Sequence, residues 1–222
     1  MPKGHLLAET ASLLQKAGWE LKGYQEKARF YRLKSQKFPN LLVKVFHEKD
    51  IPIQIAVGNY DLGICGLDWV EELLAKYPGS PLVKIRNLGY GLGVLYMAAS
   101  RSEELPVKQG TVRITSEYPN LAESFALKNR LRQFSIFPLW GAAEVYPPEN
   151  ADLVLISTRA EEELPSYGLI SVSKVLTFST FLIANKSSWE TKDMSQPLTS
   201  IYDGLIPFLV LTHSQFAPRH QH

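Results

Sequence analysis

The chain has 222 residues, 45% of them apolar and 21% charged, with a formal net charge of +2. That composition excludes intrinsic disorder, and so small a charge gives no clustered basic face for nucleic acid. The longest apolar runs, 62–65, 92–99 and 205–211, fall far short of the roughly 20 residues a membrane helix needs, and no signal peptide is visible. The length allows one large domain or two small ones. The single cysteine, Cys65, excludes an internal disulfide framework and suits a reducing cytosol; its apolar neighbours make it a small buried hydrophobe and not a nucleophile.

Residues 1–5 form a loop feeding an amphipathic helix whose apolar stripe, Leu6, Leu7, Ala11, Leu13, Leu14 and Ala17, ends at Gly18. Lys3 and Gly4 stand just ahead of that helix's amino end, where free N–H groups and the dipole favour an anion. Between Tyr24 and Lys37 the cations Lys27, Arg29, Arg32, Lys34 and Lys37 are interleaved with aromatics, which is either a solvated basic ribbon or a patch facing a polyphosphate. Leu41–Phe46 is a strand by its β-branched and aromatic content. Asp50 is placed to cap a short helix with Pro52 in its first turn and Gly58 at its end, and Leu62–Cys65 is a buried strand. Gly66 and Asp68 then precede a helix around Trp69–Leu74. This puts backbone amides and a carboxylate at the carboxyl end of a strand, where open α/β sheets bind ligands. An ordinary helix-turn-strand unit is the plainer reading of the same stretch.

The second half alternates in the same way. From Leu82 to Ala99 the chain reads as a strand, three alternating glycines, Gly89, Gly91 and Gly93, and a second strand; the glycines precede a strand and not a helix, so a dinucleotide-binding loop is ruled out by context. Val112–Ser116 is a strand running into a helix near Leu121, with Asn120 or Ser116 as its cap. Phe134–Leu139 and Ala151–Ile156 are strands. Glu144 follows a Gly-Ala-Ala turn and is either a solvated loop residue or a ligand contact. Ser157 and Thr158, at the end of the last of these strands, can cap a helix or touch a phosphate, and Arg159 and the run Glu161–Glu163 follow. Leu198–Leu211 is a final apolar helix or strand. His213, His220 and His222 belong to a frayed tail that lacks the rigid scaffold a metal site needs.

Asp50-Ile51-Pro52 followed by Gly58-x-x-Asp61-Leu62-Gly63-Ile64-x-Gly66-x-Asp68 resembles the signature of the ATP phosphoribosyltransferase catalytic chain, the first enzyme of histidine biosynthesis. Other segments are similar in order and spacing. Pro2-Lys3-Gly4 resembles Pro-Lys-Gly-Arg-Leu, and Leu88-Gly89-Tyr90-Gly91 resembles Leu-Gly-Phe-Gly. Tyr118-Pro119-Asn120-Leu121 lies in a segment like Val-Ala-Thr-Lys-Tyr-Pro-Asn-Leu, Gly141–Glu144 resembles Gly-Ser-Val-Glu, and Ser179–Lys186 resembles Ser-Thr-Ala-Arg-Leu-Ile-Ala-Asn-Arg.

The resemblance, which runs from Lys3 to about Lys186, implies an α/β chain of two lobes with a cleft between them, like a type-II periplasmic binding protein. The second lobe, 94–175, is inserted in a first lobe made of 1–93 and 176–222. The implied reaction transfers phosphoribosyl from phosphoribosyl pyrophosphate to N1 of ATP in the cytoplasm, with Mg2+ on the polyphosphate and Asp68 and Glu144 on the nucleotide or the metal. Lys3 and Glu144 are the implied catalytic residues. Gly4, Arg32, Asp68, Thr115, Tyr118, Ser157, Thr158 and Arg159 are the implied substrate contacts, with Lys3 and Arg32 on phosphates. A homo-oligomer, or a hetero-oligomer with a regulatory chain related to histidyl-tRNA synthetase, is implied as well, with no nucleic-acid or membrane partner.

Four departures from the family pattern bear on activity. His5 stands where the family has arginine, no strand precedes Pro2 so the sheet is expected to lack one, Glu117 replaces a cation, and Arg159 replaces the glycine of the phosphate loop. They support an alternative reading as a non-catalytic relative that binds a nucleotide or serves as a structural subunit. A solute-binding protein would share the fold but calls for an export signal.

Overall fold

A computed structural model of the chain describes residues 1–25, 31–100 and 110–214, with 206–214 as helical backbone alone. In chain order the elements are β1 (Pro2–Lys3), α1 (Leu7–Lys16), β2 (Arg32–Lys34), β3 (Leu42–Lys44), β4 (Phe46–His47), α2 (Ile51–Ala56), β5 (Leu62–Gly66), α3 (Leu67–Lys76), β6 (Leu82–Asn87) and β7 (Gly93–Ser100). They continue with β8 (Val112–Ser116), α4 (Pro119–Lys128), β9 (Phe134–Pro138), β10 (Leu153–Thr158), β11 (Leu169–Phe178), β12 (Thr180–Asn185), α5 (Lys186–Thr191) and α6 (Ser195–Ser214). Short 3-10 turns occupy Glu48–Asp50, Ala143–Val145 and Glu161–Tyr167. No described helix is long and apolar enough to cross a membrane.

The chain divides into two compact units, the first made of Met1–Cys65, Pro81–Gly91 and the residues from Thr180, the second of Gly66–Ser80 and Leu92–Ser179. This differs from the expected limits by a few residues at 92–93 and 176–179 and, more widely and with a clear cause, at 66–80. The sequence assigns 66–80 to the first lobe because it continues β5 directly. Yet α3 places Leu67 and Trp69 in the second unit's core, and its Asp68 and Glu72 bond residues near the start of α4, some 50 positions away.

In the first unit, α1 buries Leu7, Leu13 and Leu14, which join Trp19, Leu33, Val43, Ile64, Leu182 and Ile201 in one core. Burial of each such side chain contributes about 1.5–3 kcal/mol. A three-stranded sheet runs in the order β5-β12-β6, while β1 pairs parallel with β4 and β2 antiparallel with β3. The single strand expected over Leu41–Phe46 is interrupted at Val45, whose amide donates to Tyr31 O at 3.0 Å. Helix α6 lies close on α1: the indole of Trp19 donates to Ser200 Oγ at 2.8 Å, and a Cβ at Gly204 would meet Ala17 N and Leu13 O at 3.2 Å. The Asp50 side chain makes no cap on α2, contrary to expectation, although Pro52 sits in the first turn and Gly58 ends it at φ +78°.

Asn185 caps α5 by accepting the Ser188 amide at 3.2 Å, and Asp61 Oδ1 accepts Ser188 Oγ at 2.6 Å and Lys192 Nζ at 2.8 Å. Burial pushes the Asp61 carboxyl up, but Lys192 and Ser188 outweigh it and hold the group below its ordinary value of 3.8. A carboxyl depressed on folding binds fewer protons in the native state, so its contribution is present above that ordinary value and is lost as pH falls through the native one. Asp61→Asn is therefore expected to remove part of the acid dependence. Urea midpoints compared between pH 6 and pH 3 should converge for variant and wild type at the acid end.

In the second unit a five-stranded sheet has the order β11-β7-β10-β8-β9, with β8, β9 and β10 mutually parallel and β7 antiparallel to both its neighbours. Side chains alternate across it. Leu95 and Met97 of β7 join Ile114, Leu155 and the Ala122 and Ala126 of α4 on one face. Tyr96 and Ala98 join Val154, Leu164 and Leu169 on the other. The carboxyl ends of β8, β9 and β10, with the loops that follow them, carry Thr115, Tyr118, Glu144, Ser157, Thr158 and Arg159, and the first turn of α3 carries Asp68.

Candidate functional site

The first unit gathers cations at one place. Lys3, Tyr31, Arg32, Lys44, His47 and Asp50 line a pocket of about 330 Å³, floored by Val45 and Phe46. The two residues expected to meet phosphates, Lys3 and Arg32, lie 29 positions apart in the sequence yet share this pocket. Lys3 Nζ lies 5.2 Å from the centre of the Tyr31 ring, a cation–π contact that holds the ammonium without neutralising it. Lys27 and Arg29 of the basic ribbon lie outside the described residues. Lys34 is exposed on β2, and Lys37 donates to Ala17 O at 3.0 Å, so neither belongs to the pocket.

The anion place expected at the amino end of α1 is taken by the chain itself. Buried Glu48 accepts the Leu6 amide on Oε1 at 3.2 Å, and the His5 ring lies 3.2 Å from the same oxygen. Gly4, at φ +97°, lets the backbone turn past this carboxylate; a Cβ there would stand 3.5 Å from Glu48 Oε1. Gly4 thus serves the turn, and Lys3 faces the pocket.

In the second unit, Asp68 and Tyr118 meet. Asp68 is 2% exposed, and its Oδ2 accepts the Tyr118 hydroxyl at 2.6 Å. The Trp69 and Tyr118 rings lie 4.4 Å apart and 30° from parallel. Gly66 is required here because a side chain on it would overlap Asp68 Oδ1. Next to this pair, Glu72 bonds the start of α4, where backbone N–H groups otherwise lack partners. It accepts the Asn120 amide at 2.9 Å, the Asn120 side chain at 2.7 Å and the Leu121 amide at 2.9 Å. Neither Asn120 nor Ser116 caps α4 as expected: Asn120 lies inside the first turn, and Ser116 Oγ accepts the Tyr118 amide at 2.8 Å while donating to Leu155 O.

The loop after β10 is arranged by its own residues. Thr158 is buried and its hydroxyl donates to Ala160 O at 3.0 Å, while Ser157 and Arg159 are exposed. Neither Ser157 nor Thr158 caps the 3-10 turn that follows. Glu163 instead accepts the Arg159 amide at 3.1 Å, and Ser166 Oγ donates to Glu163 O at 2.6 Å. A carboxylate three residues into a helical turn that reaches back to an amide ahead of it behaves as in a capping box. The Arg159 amide thus already holds an anion.

Thr115 and Glu144 are placed differently from this group. Thr115 is 1% exposed and pairs in register with Val154 and Phe137, on the sheet face away from α4; its hydroxyl has no hydrogen-bond partner among the described residues. Glu144 is half-buried in the turn after Gly141 and Ala142, both at positive φ, and a Cβ on Gly141 would lie 4.0 Å from Glu117 Oε1. Among the described residues no three His, Cys, Asp or Glu side chains converge on a metal-sized site. His220 and His222 of the tail lie outside the described residues.

Together, these features define a two-lobed α/β protein with a cationic pocket in the first unit and a buried carboxylate, Asp68, in the second. The family model for ATP phosphoribosyltransferase matches residues 47–205. The ATP phosphoribosyltransferase of Aquifex aeolicus is 31% identical over 195 residues, covering 87% of this chain and 86% of the relative. That of Chlorobium phaeovibrioides is 28% identical, covering 86% of this chain but only 64% of the relative, so the chain spans under two thirds of such longer forms. A Thermotoga maritima ATP phosphoribosyl transferase (HisG:HisZ) complex superposes with a TM-score of 0.77 at 20% identity, covering 92% of this chain and 96% of that one. The periplasmic aliphatic sulphonate binding protein SsuA of Escherichia coli gives 0.51 at 16% identity, covering 95% and 70%, in keeping with a type-II periplasmic-binding-protein-like fold. The chain belongs to the ATP phosphoribosyltransferase family.

Proposed function

We propose that the chain transfers phosphoribosyl from phosphoribosyl pyrophosphate to N1 of ATP, the first step of histidine biosynthesis, in the cytoplasm. N1 supplies an electron pair to the anomeric carbon, and the bond from that carbon to the pyrophosphate oxygen breaks, the pair leaving with pyrophosphate. Such a transfer needs positioning and charge neutralisation more than covalent help. The observation that carries the reading is the shared pocket of Lys3 and Arg32, reached from the family resemblance and lined also by Lys44. We assign Lys3 and Arg32 to phosphate groups, Asp68, held by the Tyr118 hydroxyl, to the nucleotide or sugar hydroxyls, and half-buried Glu144 to the nucleotide. Ser157, Thr158 and Arg159 are the remnant of the phosphate loop. Magnesium is read as part of the substrate, carried on its polyphosphate.

A partner chain of the HisZ kind, as in the Thermotoga maritima assembly, is inferred to complete the working oligomer. The second reading, a relative that binds without turnover, is favoured by one observation, the Glu163 carboxylate on the Arg159 amide. Calorimetric titration with phosphoribosyl pyrophosphate and magnesium, with and without ATP and a HisZ-type chain, tests the proposal. Binding that strengthens with the partner is expected; a folded chain that binds neither substrate under any of these conditions would rule it out.

A further inference from the structure

Asp68 and Glu72 stand one turn apart on α3, so their side chains leave the helix on one face. Both reach the start of α4. Asp68 Oδ2 accepts the Tyr118 hydroxyl at 2.6 Å, and Glu72 accepts the Asn120 amide, the Asn120 side chain and the Leu121 amide at 2.7–2.9 Å. Pro119 has no amide hydrogen, so Asn120 and Leu121 are the first residues of α4 that can be held by their backbone. Tyr118, just ahead of them, is fixed on every side: its amide donates to Ser116 Oγ at 2.8 Å, its carbonyl accepts the Ala122 amide at 3.0 Å, and its ring lies 4.4 Å from that of Trp69. A cap supplied by α4's own loop would satisfy the same amides without tying α4 to α3. Glu72, 48 positions away, does both, and a displacement of α4 by about 1 Å would carry the Tyr118 hydroxyl out of bonding range of Asp68.

We propose that Glu72 is a positioning residue for the reaction: by holding the start of α4 it sets the Tyr118 ring, and through the Tyr118 hydroxyl it keeps the Asp68 carboxylate in the orientation that meets the nucleotide or sugar hydroxyls. This role rests on the assignment of Asp68 above. It adds a residue that touches no substrate and acts at one remove, beyond its contribution to the stability of the fold.

The test compares Glu72→Gln, which keeps the shape and one acceptor oxygen, with Asp68→Asn and the double variant, in the full chain with a HisZ-type partner and well below every thermal midpoint. Glu72→Gln is expected to lower kcat/KM for phosphoribosyl transfer by about three- to tenfold, and by less than about twofold once Asp68 is already Asn, while the urea midpoint falls in both backgrounds. A second readout needs no activity. Glu72→Gln should alter the near-ultraviolet circular dichroism of the Trp69–Tyr118 pair, and the alteration should vanish in a Trp69→Phe background. An active assembly whose kcat/KM changes by less than about twofold with Glu72→Gln, or falls as far without Asp68 as with it, overturns the positioning role and leaves the transferase reading standing. An unchanged Trp69 signal overturns the role as well. An assembly that transfers nothing yet shows the Trp69 change contradicts the transferase reading and leaves the hold of Glu72 on Tyr118 intact.

Discussion

Asp68→Asn is expected to lower kcat/KM for phosphoribosyl transfer by about 10- to 100-fold, equivalent to roughly 1.4–2.7 kcal/mol of transition-state stabilisation. The figure follows from what the carboxylate does. It is nearly fully buried, is held by the Tyr118 hydroxyl at 2.6 Å, and has its place kept open by Gly66. A hydrogen bond to a charged group contributes about 1.5–3 kcal/mol, and the amide keeps the shape while losing the charge. Tyr118 acts through Asp68 and is a positioning residue. Tyr118→Phe should therefore cost less, about three- to tenfold, and the double variant should be no worse than Asp68→Asn alone. Steady-state kinetics over the four-member cycle gives the answer: strict additivity would mean that the two side chains act separately.

The largest effect on stability is expected at Glu72. One side chain accepts two backbone amides at the start of α4 and the Asn120 side chain, all at 2.7–2.9 Å, from a site only 7% exposed. Removing it strands buried donors that water reaches poorly, so Glu72→Ala is expected to destabilise the fold by about 2–4 kcal/mol, read as a shift in urea midpoint at constant slope. Glu72→Gln keeps one acceptor oxygen and should cost about half as much. Burial raises the Glu72 carboxyl above its ordinary value of 4.5, and the Asn120 and Leu121 bonds that lower it do not offset that. The native state therefore holds this proton more tightly than the unfolded chain. Stability linked to the group is full below the ordinary value and declines as pH rises through the raised one, a decline that Glu72→Gln should lack.

These two side chains show where sequence reading succeeds and where it stops. Patterns carried by consecutive residues were legible: the stripe of α1 ending at Gly18, the buried run of β5, the return through Phe178–Lys186. Asp68 was also legible, from a spacing of glycines and carboxylates, and so was Tyr118, although not their bond across 50 positions. The caps were not. Asp50, Ser116, Asn120, Ser157 and Thr158 are the local residue types that cap helices, yet the carboxylates that do so most fully, Glu48 for α1 and Glu72 for α4, come from 42 and 48 positions away. Glu163 was visible as an acidic residue in a first turn, but its bond to the Arg159 amide depends on how that turn is wound. Lys44 and His47 escaped for another reason. Their signal is strand register, which pairs them with Arg32 and Lys3 and which the sequence does not state.

The chain thus supplies its own carboxylates at the amino ends where phosphate would be looked for, and gathers Lys3, Arg32 and Lys44 about one pocket of the first unit. The most direct measurement is pyrophosphate release from phosphoribosyl pyrophosphate, with ATP and magnesium, by the chain joined to a HisZ-type partner. The transferase reading predicts release that requires both substrates, one pyrophosphate for each phosphoribosyl-ATP formed, and that falls when Lys3 or Arg32 is replaced. A folded assembly that binds both substrates and releases no pyrophosphate would contradict it and make the chain a binding subunit.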